Sequence, residues 1–237
     1  MGPNTLTTSS SQTRTEAGAA APGGHTEEPR PLLRGWFHFG AAIAAIVGLV
    51  ALVLLADSAE AYVGGVIFAA SLIALYATSA TYHTVTWGRR MRAFMKRLDH
   101  SMIFVLIAGT YTPICLVAAS TAWGITILAI VWSIAAAGII LKVFWPGAPR
   151  WLSVLLYASA GWLGAIAGIP LTEWLAWAPI ALLIMGGVLY TIGGVIYAAR
   201  RPNPWPRVFG YHEVFHLLVI AGSVLHYTLV AAYLMPD

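Results

Sequence analysis

Long apolar runs separated by short charged segments lay out this chain. Seven runs, at about 35–56, 62–84, 99–119, 122–141, 151–171, 175–199 and 211–234, match the roughly 20 residues needed to cross about 30 Å of hydrocarbon. Backbone in lipid has to satisfy its own N–H and C=O groups, so each run predicts a helix. The expected fold class is all-α, a seven-transmembrane-helix bundle over 34–237. Gly and Ala recur within the runs ("GGVIFAA", "AGWLGAIAG", "GGVIYAA"), which allows close helix approach and reads as packing rather than as a ligand site. Residues 1–33 are rich in Ser, Thr, Ala, Gly and Pro without periodicity. They predict a disordered tail, with neither the basic and apolar regions of a secretory signal nor a myristoylation match, since position 6 is Leu.

Charge gives the bundle a direction. All 13 Lys and Arg fall in four places. These are the tail (Arg14, Arg30, Arg34), the 2–3 loop (Arg89, Arg90, Arg92, Lys96, Arg97), the 4–5 loop (Lys142, Arg150) and the 6–7 loop (Arg200, Arg201, Arg207). The alternate loops carry only Asp57, Glu60 and Glu173. The positive-inside rule therefore predicts a cytoplasmic N-terminus and an outside C-terminus, opposite to a G-protein-coupled receptor. No predicted span holds a lysine in its interior, which argues against a retinal protein.

Composition agrees with an integral membrane protein: 9% charged and 59% hydrophobic residues, mean hydropathy +0.77, against about 25% charged in soluble domains. A pI near 9.4 comes with a net charge of only +4, which loop arginines explain, so nucleic acid is not an expected partner and membrane lipids are. The single cysteine, Cys115, lies in an apolar run and reads as a small buried hydrophobe. Excess Arg over Lys and Ala/Gly/Trp-rich spans fit a GC-rich bacterium, which suggests the inner (plasma) membrane, crossed many times.

Ionisable groups in the spans are costly, so each is a functional candidate: His38, His83, Asp99, His100, His212, Glu213, His216 and His226. His83 falls at the inner end of span 2, Asp99 and His100 at the start of span 3, and His212 at the start of span 7; His216 lies one turn deeper. His212 and His216 are an i,i+4 pair on one helix face, as are Ser79 and His83. Two histidines at that spacing fill two corners of a tetrahedral zinc, and a third from another helix leaves one corner for water. Asp99 is placed to orient that water and assist proton transfer, or to cap span 3; Ser79 could fix a ligand's tautomer or bond the water. Single interfacial histidines more often meet headgroups or carbonyls, the reading for His38, His100 and His226. Residues 212–216 also fit H-E-x-x-H, in which Glu is the base of a zinc protease. Yet Glu213 points about 100° from the histidine pair, leaving snorkelling, loop pairing or catalysis open. The metzincin extension fails, because Val219 and Gly222 stand where Gly and His are needed.

Together "SATYHTV" (79–85), "LDHSMIFVLIAGTYTP" (98–113) and "HEVFHLLVIAGSVLHY" (212–227) resemble the hemolysin III family, within the progestin and adipoQ receptor superfamily that includes adiponectin receptors. The resemblance covers about 34–237. It implies a seven-helix bundle with Zn2+ held by His83, His212 and His216, Asp99 contacting the zinc-bound water, and Ser79 one turn before the first ligand. The adiponectin receptors commonly carry Gln at the place of Glu213, so the resemblance does not call for a Glu base.

Four functions follow as expectations. The protein is a membrane-lipid sensing or homeostasis protein stapled by zinc, or a zinc-dependent hydrolase of a lipid amide or ester. The alternatives are a pore-forming cytolysin, which wants a polar stripe through the bilayer, and an intramembrane zinc protease with Asp99 as a ligand.

Overall fold

A computed structural model describes residues 2, 31–119, 121–163 and 171–236. The tail expected over 1–33 lies almost wholly outside them, as does the last part of the fifth expected span. The described elements are α1 (Trp36–Leu55), α2 (Ala59–Thr84), α3 (Arg89–Pro113), a π-helical turn (Ile114–Ala118), α4 (Thr121–Phe144), α5 (Arg150–Gly161), a single turn (Leu171–Trp174), α6 (Trp177–Ala199) and α7 (Tyr211–Tyr233). Six of them are long and apolar enough to cross a membrane by length and composition; α5 is the exception, with 12 residues before the undescribed stretch. No strand occurs among the described residues, so the all-α membrane bundle is the fold.

The helices close a ring in chain order: each packs on the next, and α7 returns to α1, while α3 also touches α5 and α2 meets α7 sparsely. Large apolar side chains recur at helical spacing on the outer faces. Ile43, Ile46, Val47 and Val50 of α1, and Ile184, Met185, Val188 and Ile192 of α6, are all exposed. A soluble protein rarely carries such patches; in lipid they are the outer wall. The main apolar core runs along the bundle, from Ala42 and Leu52 of α1 through Phe68, Leu72 and Tyr76 of α2 to Val219 and Leu229 of α7.

Helix ends depart from the hydropathy pattern on the basic side. The third span was expected from 99, but α3 begins at Arg89, so the residues assigned to the 2–3 loop form its first turns. Lys142 and Arg150 are likewise helical, in the last turn of α4 and the first of α5. Arg and Lys are good helix formers, and hydropathy marks where hydrocarbon ends rather than where a helix does. Lys142 is 6% exposed, so it is no loop residue.

Glycine sets the α2–α3 approach. A Cβ built on Gly64 would lie 2.7 Å from the Pro113 Cα and 3.0 Å from its Cβ, and backbone there has no flexible end to move. Gly64→Val is expected to cost about 1–3 kcal/mol through overpacking and to lower the melting temperature in detergent. Gly40→Ala, with nothing within 4 Å of its added Cβ, should leave it unchanged or slightly raised, since Ala is the better helix former. Equal melting points for both variants would count against α2–α3 contact as a determinant of the bundle.

Candidate metal centre

The entry to α7 is built around a buried carboxylate. Glu213 is 0% exposed; its Oε2 accepts the Gly210 N–H at 2.8 Å, and its Oε1 accepts Arg34 Nε at 2.9 Å. One group thus satisfies an orphan N–H at the helix start and ties the chain before α1 to α7. That chain also pairs its backbone with the 6–7 loop, Leu32 N–H to Arg207 O and Leu33 N–H to Val208 O, both at 3.2 Å. Gly35 follows with φ +90°, where a Cβ would stand 2.8 Å from the His83 Cβ. Only glycine combines that left-handed turn with so close a pass.

Beneath this clasp three histidines converge. His83 comes from the last turn of α2, and His212 and His216 from the first two turns of α7. One ring nitrogen from each lies within 4.8 Å of the others. His83 Nε2 and His212 Nε2 are 3.1 Å apart. Two nitrogens at about 2.0–2.1 Å from a tetrahedral zinc stand roughly 3.3 Å apart, so this spacing fits a shared ion. His216 Nδ1 is buried without a hydrogen-bond partner, a cost that a cation on this group would offset. The described residues therefore hold a three-histidine group able to take a metal ion, and its donors suit zinc.

Asp99 stands outside that group. It sits ten residues into α3, so it is not the cap of that helix. Its hydrogen-bonding neighbour is the buried Ser79 side chain. His100 and His226 have carbonyl partners, as expected: His100 Nδ1 lies 2.6 Å from Lys96 O and His226 Nε2 lies 3.1 Å from Leu183 O. Glu213 takes up loop pairing, through Arg34.

His38 departs from expectation. It meets no carbonyl in good geometry; its ring stacks on His216 at 3.7 Å and 14°, and lies 5.0 Å from Tyr76. Neither of its nitrogens makes a hydrogen bond of good geometry, the nearest candidate being the His216 backbone. The first turn of the first span lies in the same layer as His83 and His212, and depth alone could have revealed the fourth imidazole.

A cavity of about 200 Å³ leads inward from this layer. His38, Ser79, Asp99, His212 and His216 border it at one end and His226 at another, ten residues beyond His216, about 15 Å along α7. Its walls between are overwhelmingly apolar, Ile103, Leu106, Ile127 and Val219 among them.

A model of a family described as Haemolysin-III related matches residues 26–227. The chain belongs to that family. It is 36% identical over 192 residues to the Hemolysin-3 homolog of Bacillus subtilis (strain 168), covering 81% of this chain and 87% of the relative. Hemolysin-3 of Bacillus cereus is 35% identical over 198 residues, covering 82% and 87%. The Adiponectin receptor protein of Drosophila melanogaster is 28% identical over 185 residues, covering 71% of this chain and 41% of that protein. This hemolysin III chain is therefore a multi-pass membrane protein, as the six apolar helices also require.

In this hemolysin III fold the clasp should be costly to open. Glu213→Ala leaves Arg34 beside an empty buried site and should destabilise by about 3 kcal/mol, read as a lower melting temperature. Glu213→Gln keeps an acceptor for the Gly210 N–H and should fall between the two. Parent-like melting in Glu213→Ala would show that the pair does not hold α7 in place.

Proposed function

We propose that this protein is a zinc-dependent hydrolase of a lipid amide or ester, working at the cytoplasmic end of the bundle in a plasma membrane and serving membrane-lipid homeostasis. One observation supports the reading above the others: His212, His216, Asp99 and Ser79 all border a single apolar cavity. Zinc held by His83, His212 and His216 would supply a Lewis acid that polarises a carbonyl and acidifies water. Asp99 is the carboxylate beside that position, suited to accept a proton at its oxygen. Ser79 orients the carboxyl through its hydroxyl. The apolar walls accommodate a lipid chain and keep bulk water from the carbonyl.

Glu213, with both oxygens engaged, is not available as the base of a protease. A pore would want a polar stripe, and the cavity walls do not supply one. A second reading, a zinc-stapled lipid sensor, is favoured by the sparse packing of α2 on α7. A cation shared by His83, His212 and His216 would then be a main tie between those helices.

Purified protein is expected to carry about one zinc per chain by elemental analysis, lost in His212→Ala. In Asp99→Asn, zinc should stay while hydrolysis of a ceramide-like amide or a phospholipid ester falls about 100-fold or more, the scale of a general base. A zinc-loaded protein that leaves both lipid classes untouched would sink the hydrolase. A His83→Ala variant that melts like the parent would sink the sensor.

A further inference from the structure

Beyond Tyr197 from the histidines, the basic end holds cations that the proposed hydrolysis does not use. Lys142 is 6% exposed. Its Nζ donates to Ser153 Oγ and lies 5.4 Å over the Tyr157 ring. The charged residue acting on it is another cation, Lys96. Arg150 lies 5.2 Å over the Tyr197 ring and donates from Nη1 to the Tyr211 hydroxyl at 3.1 Å. His100, which faces Lys96, Lys142 and Arg150, stands 3.3 Å from the Tyr197 hydroxyl.

Among the described residues Arg34 pairs with Glu213, on the other side of the histidines. Asp99, the nearby acid, acts on Tyr157 and Tyr197 and faces Ser79. Among the described residues this buried ammonium has one hydroxyl and a ring face for company, without the counter-charge that burial demands. Lys96 is exposed and Arg150 half-buried, so the cluster opens to the basic end. Tyr157, Tyr197 and His100 border the cavity, so the cluster also stands beside the cavity wall.

We propose that Lys142 and Arg150, with Lys96 at the rim, form an anion subsite beside the metal centre that takes a phosphate group, from an anionic lipid headgroup or from free phosphate. Two fixed cations at the ends of α4 and α5 would share the anion's oxygens, Arg150 through its fork and Lys142 as a point charge. The subsite requires neither bound zinc nor turnover.

The full chain in phosphatidylcholine nanodiscs, titrated with phosphatidic acid and followed by native mass spectrometry, tests it. Phosphatidic acid should be retained in preference to phosphatidylcholine, and Lys142→Met and Arg150→Gln should each weaken it about tenfold, the scale of a hydrogen bond to a charged group. His212→Ala should lose zinc yet keep the lipid, which separates this site from the hydrolase. Inorganic phosphate at millimolar concentration that displaces the lipid identifies a free-anion site; phosphate without effect identifies the headgroup as the ligand. Equal retention by parent, Lys142→Met and Arg150→Gln would overturn the proposal, and should Lys142→Met fail to fold, Arg150→Gln alone decides.

Discussion

Hydrocarbon offers no water to complete a polar group, so every buried donor or charge in this bundle has to find its partner inside the protein. That constraint organises the basic end. Glu213 is fully buried because Arg34 and the Gly210 N–H take its oxygens. The three convergent imidazoles satisfy the same demand only in part: His83 and His212 meet each other, while His216 keeps one buried nitrogen unpartnered. The apolar core needs no such devices. There Phe68, Leu229 and Val230 pack among other apolar side chains with almost no exposure.

Much of this was legible in the sequence, because lipid allows so few solutions. Runs of apolar residues became helices, and alternation of charged loops brought the histidines of the second and seventh spans to one layer. Ser79 and Asp99 met for the same reason, both lying near the basic end of antiparallel neighbours. Cavity and clasp were not legible. A stack such as His38 on His216 depends on helix rotation, which depth along the chain does not encode. Lys142 looked like a loop residue because hydropathy falls where headgroups begin, although the helix continues and turns the side chain toward Ser153.

The pattern H-E-x-x-H illustrates how a shared motif can carry different chemistry. Helical spacing puts His212 and His216 on one face in any protein that has it. The intervening glutamate faces a different neighbour, and here that neighbour is an arginine 179 residues away. Its carboxylate is spent on tertiary structure, which leaves Asp99, on another helix, as the acid nearest the cavity's polar end.

The three-histidine group is split between the second span and the last. A ribosome threads α1 and α2 into the bilayer long before α7 exists, so His38 and His83 enter the membrane without the residues that will accompany them. Only when the final helix inserts does Arg34 find its carboxylate and the ring of helices close. Any cation that this group takes is therefore loaded late in biogenesis, and a chain truncated before residue 211 would lack the group altogether.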